Sequence, residues 1–177
     1  MTGSRVNRTR ATIAVLLLMR VLVSAQDVTE SALKAAFIYN FALFTEWPSG
    51  LVPAAEPYVL CVSGDAAVGD ALERAVKGRS LAGHRMTVSQ VAPAGTLRPC
   101  HVLYISHVTA GQATPLVAGL RDLPVLTISD IEGFAELGGI ARFFFEHGQL
   151  RFSVQLEAVK RAHLQISSRL LILAKPN

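Results

Sequence analysis

Few residues of this 177-residue chain have the types and spacing that chemistry requires. Its five histidines are scattered, so nothing in the sequence brings them together as metal binding or acid–base catalysis requires. The chain also lacks a Gly-x-Ser-x-Gly nucleophile elbow and a phosphate-binding P-loop. We therefore predict no catalytic site, no metal and no cofactor. The histidines, interpreted as ordinary surface or strand-end residues, are His84, His101, His107, His147 and His163.

One acidic residue has a position suited to a site. Asp130 follows an apolar segment predicted to be a strand, and the sites of α/β proteins gather at the carboxyl ends of parallel strands. With a histidine, it could serve as the acid of a small hydrolase. A helix cap after the strand is the simpler interpretation, and we favour it.

A second weak candidate lies near the end of the chain. Arg169, with the hydroxyls of Ser167 and Ser168 at a predicted helix start, could contact an anion or small ligand. Arg169 could equally pair with a carboxylate. We favour this structural role, because one arginine and two serines are a weak signal for a ligand.

The cysteines are Cys61 and Cys100, and there are no others. Both belong to predicted strand regions, so neighbouring strands could bring them within bonding distance in an oxidising compartment. Two buried free thiols are the other interpretation. A zinc site is disfavoured, because neither cysteine belongs to a close pair of ligand spacing.

The start of the chain predicts export. Arginines precede an apolar run over residues 11–23, and Val23-Ser24-Ala25 has the small-residue pattern of a signal-peptidase site. A membrane anchor is disfavoured, because the run is shorter than the roughly 20 residues that a span needs and Arg20 interrupts it. We expect residues 1–25 to be a cleaved signal peptide and residues 26–177 to be one periplasmic domain.

The charge balance then argues against a nucleic-acid partner. The chain has 17 basic and 13 acidic residues, and four of the basic ones lie in the predicted signal peptide. The remaining 13 basic residues balance the 13 acidic ones, and no stretch has the clustered lysines and arginines of a phosphate-binding face.

Short apolar segments separated by helical ones predict an α/β fold. We expect a single-domain layered sandwich, with a mainly parallel central sheet flanked by helices and an antiparallel C-terminal hairpin. The predicted strands are Tyr58–Ser63, Arg85–Val91, His101–Ser106 and Pro124–Ser129, with a hairpin of Ile140–Glu146 and Leu150–Leu156. The predicted helices are Ser31–Trp47, Ala67–Lys77, Thr114–Leu120, Glu157–Ala162 and Ile166–Lys175.

Three stretches together carry a family resemblance. They are Lys34–Phe41 followed by Thr45–Pro48, then Cys100–Ser106, and finally Val125–Asp130 continuing through the Phe143 hairpin to Ile166–Leu171. In order and spacing they resemble the YfiR family of small periplasmic regulators, and the likeness covers Gln26 to Lys175.

The resemblance implies a regulator rather than an enzyme. Such a protein binds the periplasmic part of an inner-membrane diguanylate cyclase and represses it, which tunes cyclic-di-GMP and biofilm formation. An outer-membrane lipoprotein can sequester the repressor, and family members form homodimers. The resemblance also implies a Cys61–Cys100 disulfide. A second, labile disulfide cannot form here, because the matching positions are Ala135 and Arg142.

Contact candidates for a protein partner are the apolar N-terminal helix and the aromatic run Phe143, Phe144 and Phe145. Strand alternation places Phe144 on the opposite face from its two neighbours, so at least one ring is expected outside the core. The alternative function is a periplasmic small-molecule binding protein. Family positions proposed for ligands match Gln165 and Ser167, where this chain departs from the family's residues.

Overall fold

The computed structural model describes residues 30–92 and 100–176. The predicted signal peptide, residues 1–25, and its cleavage site lie outside the described residues.

Seven strands form one main sheet, and two short strands form a second. The strands are β1 Thr45–Glu46, β2 Tyr58–Ser63, β3 Ser80–Leu81, β4 His84–Gln90, β5 Val102–Ile105, β6 Leu126–Ser129, β7 Ala141–Glu146, β8 Gln149–Val154 and β9 Gln165–Ile166. The main sheet has the order β3-β4-β2-β5-β6-β7-β8, and β1 pairs with β9. Strands β4, β2, β5, β6 and β7 are parallel, whereas β3 and β8 pair antiparallel at the two ends.

Five helices in the described residues connect and cover these strands. They are α1 over residues 30–43, α2 Ala66–Val76, α3 Ala110–Gly119, α4 Leu156–Arg161 and α5 Ser168–Leu171. Asp65 caps α2 by accepting a hydrogen bond from the Val68 N–H at 3.0 Å. Thr109 and Gln112 form a capping box at the start of α3.

The two faces of the sheet have different cores. On one face, Phe37 and Phe41 of α1 pack against Phe143 and Phe152 of the hairpin, with ring centroids 5.0–6.0 Å apart. On the other face, the core around α3 contains both cysteines with Leu103, Ile105, Val117, Leu120, Val125 and Phe134. Apolar cover on both faces explains why β2 and β5, in the middle of the sheet, are almost continuously apolar rather than alternating.

The predicted fold class is confirmed, and the central strands lie within one or two residues of their predicted bounds. The hairpin is also confirmed, with a tighter turn than predicted. Glu146 pairs with Gln149, which leaves His147 and Gly148 as a two-residue turn with φ of 51° and 73°. Positive φ at both positions is typical of the type I′ turn that suits twisted strands.

Two helix ends differ from the prediction because of contacts distant in sequence. Helix α1 ends at residue 43 rather than at Trp47, since Thr45 and Glu46 pair with β9. The terminal helix has only four residues, Ser168–Leu171, rather than spanning Ile166–Lys175. The chain beyond it extends beside β8, where the Lys175 N–H donates to the Phe152 carbonyl at 2.8 Å.

The start of α3 also differs from the prediction. The helix begins at Ala110 rather than at Thr114, and Pro115 lies inside it. The capping box at Thr109 fixes the earlier start. The helix continues through Pro115. Next to the proline, the Thr114 hydroxyl donates to the Ala110 carbonyl at 2.8 Å.

Candidate functional site

A group of polar side chains lies at the carboxyl edge of the parallel sheet, beneath α1. Tyr104 and Ser106 are two residues apart at the end of β5, so they point to the same face. Asp130 directly follows β6, the neighbouring strand. Lys34 comes from the first turns of α1, which covers this face. We refer to these four residues as the Asp130 cluster.

Every donor of the cluster converges on one carboxylate. The Lys34 Nζ and the Tyr104 hydroxyl donate to Asp130 Oδ2 at 2.8 and 2.9 Å. The Ser106 hydroxyl donates to Asp130 Oδ1 at 2.8 Å. The Lys34 Nζ also lies 2.8 Å from the Glu30 carboxylate, one turn earlier on α1. Lys34 is only 7% exposed, and Tyr104 and Ser106 are fully buried.

The electrostatics of the cluster favour charged Lys34 and Asp130. Burial lowers the pKa of Lys34, but its hydrogen bonds to Asp130 and Glu30 outweigh burial, so the pKa is raised. Burial raises the pKa of Asp130, yet the hydrogen bonds from Lys34 and Ser106 outweigh it and the pKa is lowered. Burial and the nearby Asp130 charge both raise the pKa of the Tyr104 hydroxyl, which keeps it neutral.

This arrangement fastens α1 to the sheet. The favoured interpretation of Asp130 as a helix cap is wrong, because its oxygens accept from three side chains instead. A carboxylate held by three donors is a poor general acid. His107, which directly follows Ser106 in the chain, has its Nδ1 2.9 Å from the Gly64 carbonyl rather than near Asp130 or Ser106.

Two further histidines lie at the opposite end of the strands, and each has a backbone hydrogen-bond partner there. The Val59 N–H donates to His101 Nδ1 at 3.0 Å, and the ring packs 4.9 Å from that of Tyr58. Burial lowers the pKa of His101. His84 Nδ1 lies 3.0 Å from the Glu56 carbonyl. Within residues 30–92 and 100–176, no group of three or more His, Cys, Asp or Glu side chains could hold a metal ion.

The two cysteines form the predicted disulfide. Cys61 and Cys100 have Cα atoms 5.6 Å apart and are bonded through their sulfur atoms. Their proximity follows from the sheet, since the His101 N–H donates to the Val59 carbonyl and so aligns the start of β5 with β2. Both sulfurs lie in the core around α3.

The three phenylalanines of β7 have three different environments. Phe143 is fully buried against α1, and Phe144 is half-buried with the Arg142 guanidinium 4.8 Å from its ring centroid. Phe145, near the hairpin turn, is 49% exposed. The contact candidates on this strand therefore reduce to Phe144 and Phe145.

The Ser167-Ser168-Arg169 stretch lies at the start of α5. The Ser167 hydroxyl accepts from the Arg169 N–H at 3.3 Å, so Ser167 is the cap of this helix. Ser168 and Arg169 are exposed. Arg169 makes no ion pair with any carboxylate of the described residues, which differs from the structural pairing that we favoured.

Three partners of Asp130 were not predicted from the sequence, namely Lys34, Tyr104 and Ser106. The sequence does contain a pattern that predicts this cluster. The carboxyl ends of neighbouring parallel strands meet at one edge of a sheet, and polar residues follow both β5 and β6 there. A lysine within an otherwise apolar helix is a second signal, since a buried ammonium requires a partner.

The family comparison matches residues 31–175, which include all four members of the Asp130 cluster and both cysteines. The matching model is described as YfiR/HmsC-like. The chain belongs to this family. A search of curated proteins finds no match. Membership in the YfiR/HmsC-like family suggests a periplasmic regulator of diguanylate cyclase signalling. Within the described part of the chain, none of the helices combines the length and apolar character needed to cross a bilayer.

Proposed function

We propose that this YfiR/HmsC-like protein is a periplasmic homodimer that binds the periplasmic part of an inner-membrane diguanylate cyclase and holds the enzyme inactive. The observation that carries the proposal is the family match over residues 31–175. Repression lowers cyclic-di-GMP and biofilm formation, and an outer-membrane lipoprotein that sequesters the protein relieves it. The chain needs no catalytic group for this role.

The proposed contact is the hairpin surface, which we define as Phe145, Ile172 and Leu173. Their exposed fractions are 49%, 81% and 65%. The segment carrying Ile172 and Leu173 is fastened to the hairpin, because the Lys175 ammonium lies 2.9 Å from the Glu146 carboxylate. Exposed apolar side chains on an ordered element suit a protein partner, since their burial on binding is favourable.

The mechanism is a shift between two conformations of the cyclase. A protein that binds the inactive conformation more tightly than the active one lowers activity by that difference in affinity. Shifting a cyclase from about 99% active when free to about 99% inactive requires roughly a 10,000-fold difference in affinity between the two conformations.

The test is deletion of the gene in cells that express the cyclase. We expect cyclic-di-GMP to rise, and to fall again when the gene is restored in trans. Unchanged cyclic-di-GMP after deletion would remove the cyclase as the partner. A thermal shift of the purified protein with a metabolite, in the absence of any protein partner, would instead support the alternative of a small-molecule binding protein.

A further inference from the structure

Two histidines pack against the ring of Tyr58 at the amino end of the sheet. The rings of His84 on β4 and His101 before β5 have centroids 5.7 and 4.9 Å from that of Tyr58. Trp47, which follows α1, packs on the same tyrosine ring at 5.4 Å and donates its indole N–H to the Pro124 carbonyl at 3.0 Å. The Tyr58 ring therefore joins the segment after α1 to the amino ends of β2, β4 and β5.

The side chain of His101 supplies a hydrogen-bond acceptor where the pairing of β2 with β5 begins. The Val59 carbonyl accepts from the His101 N–H at 2.9 Å. The Val59 N–H, which points towards the same neighbouring strand, donates to His101 Nδ1 at 3.0 Å. His101 thus completes both hydrogen bonds of Val59, one through its backbone and one through its ring.

The bond to the ring exists only while His101 Nδ1 carries no proton. A backbone N–H can only donate, so Nδ1 must accept, and the proton of the neutral ring lies on Nε2. A second proton on the ring would occupy Nδ1 and face the Val59 N–H directly. The Val59 N–H is partly buried, so the loss of its acceptor is unfavourable.

His84 has the opposite hydrogen-bond polarity. Its Nδ1 lies 3.0 Å from the Glu56 carbonyl, and a carbonyl oxygen can only accept, so this Nδ1 donates. A second proton on His84 would occupy Nε2 and leave the bond to Glu56 intact. The two histidines on one tyrosine ring therefore differ in their response to acid.

The surroundings of His101 also disfavour a charged ring. Burial lowers the pKa of His101 from its ordinary value of 6.5, the charge of His84 lowers it further, and Glu56, in the loop before β2, acts in the opposite direction. Burial raises the pKa of Tyr58, so the third titratable neighbour stays neutral in acid. The stability that the neutral ring contributes is therefore complete above 6.5 and is lost as pH falls through the folded pKa.

From this geometry we propose that His101 is an acid-sensitive switch of the fold. Proton uptake at Nδ1 releases the Val59 N–H and loosens the amino ends of β2 and β5, directly beside Cys100 of the disulfide. Histidine suits this role, because its charge ordinarily changes between about pH 5 and pH 8. The switch gives the protein a response to mild acid at the end of the sheet opposite the Asp130 cluster, whichever partner it binds.

The first test follows the mature, disulfide-bonded protein by NMR from about pH 7.5 to about pH 5. We expect His101 to titrate below 6.5, with the proton of its neutral ring on Nε2. The hydrogen-exchange protection factor of the Val59 amide should fall roughly fivefold as the ring takes up its proton, the change that one lost hydrogen bond implies. The protection factors of the β7–β8 hairpin should stay constant, which provides an internal control.

The second test compares two asparagine variants by urea unfolding over the same pH range. His101→Asn keeps an acceptor for the Val59 N–H, because its amide oxygen takes the place of Nδ1, and it does not titrate. The acid-dependent fall in the urea midpoint of the wild type should be absent from this variant. His84→Asn is the matched control on the same tyrosine ring and should retain that fall.

Three results would overturn the inference. A His101 pKa at or above 6.5 would show that the fold does not hold the ring neutral. A constant Val59 protection factor through the titration of His101 would show that the bond does not respond to the proton. An acid-dependent fall that persists in folded His101→Asn would assign it to another group. If that variant does not fold, the NMR titration of the wild type decides alone.

Discussion

The two faces of the sheet are each fastened by one cross-link, and the cross-links differ in kind. On the face covered by α1, the Lys34–Asp130 ion pair joins residues 96 apart in the chain. On the face covered by α3, the Cys61–Cys100 disulfide joins residues 39 apart. The first depends on the protonation of two side chains, and the second depends on an oxidising compartment.

This difference indicates which part of the molecule responds to which condition. Reduction acts on the α3 face, because both sulfurs lie in that core. Extreme pH acts on the attachment of α1, because the Asp130 cluster holds that helix at the sheet edge. None of the described hydrogen bonds and ion pairs joins Phe145, Ile172 or Leu173 to either cross-link, so the availability of the hairpin surface to a partner should depend on neither.

The largest expected effect comes from removing the covalent cross-link. The Cys61→Ala/Cys100→Ala variant should lose roughly 3–4 kcal/mol of unfolding free energy in urea, because the disulfide restricts the unfolded chain. Reductant should have a similar effect on the wild type and none on the double variant. Equal stability of reduced and oxidised wild type would show that the α3 face does not depend on the bond.

Removing the ammonium on the other face should have the next largest effect. Lys34→Met leaves the Asp130 carboxylate partly buried without its cation, and the free energy of unfolding should fall by about 3 kcal/mol. Glu30→Gln is the matched control. It keeps the Lys34–Asp130 pair and removes a carboxylate whose side chain is 45% exposed, so the loss should stay below about 1 kcal/mol.

A double variant at Lys34 and Asp130 separates the contribution of side-chain packing to stability from that of charge. Lys34→Met/Asp130→Asn leaves no unpaired charge and keeps an amide oxygen as acceptor for the buried Tyr104 and Ser106 hydroxyls, so it should recover much of the stability that the single variant loses. If Lys34→Met were no less stable than Glu30→Gln, the cluster would not be the anchor of α1.

Changes of pH should have a smaller effect on the free energy of unfolding. The pKa of Asp130 is lowered from its ordinary value of 3.8, so its contribution is present above that value and is lost as pH falls through the folded pKa. The pKa of Lys34 is raised from 10.5, so its contribution is present below that value and is lost as pH rises through the folded pKa. The double variant should lack both pH-dependent losses, which urea unfolding at acidic, neutral and alkaline pH would measure.

Much of the fold could be predicted from the sequence, because apolar runs bounded by glycine and proline determine the central strands locally. The helix ends at residues 43 and 171 could not be predicted in this way. They depend on pairing between β1 and β9 and between Ser153 and Lys175, which join distant parts of the chain. The start of α3 differs in kind, because the Thr109–Gln112 capping box that fixes it is local and therefore readable from the sequence.

The candidate site was predicted less completely than the fold. Asp130 was identified by its place after β6, but its role depends on Lys34, which the fold brings to it from α1. The disulfide was predicted because both cysteines belong to neighbouring strands and the family resemblance implies the pair. The environments of Phe143 and Phe145 differ because α1 covers one and not the other, which alternation along β7 cannot indicate.

The smallest effect on stability is expected at the hairpin surface. Phe145→Glu alters a ring that is 49% exposed, so the free energy of unfolding should change by about 0.5 kcal/mol or less. Leu123→Glu is the matched control, because it places the same charge at an exposed leucine between α3 and β6.

Binding of the purified protein to the periplasmic domain of the cyclase tests the central claim most directly. Titration calorimetry should show binding by the wild type and by Leu123→Glu, and a loss of about tenfold or more in affinity for Phe145→Glu, as for a buried aromatic contact. Equal affinity of all three folded proteins would contradict the assignment of the hairpin surface. Absence of binding by the wild type would contradict the proposed repression itself.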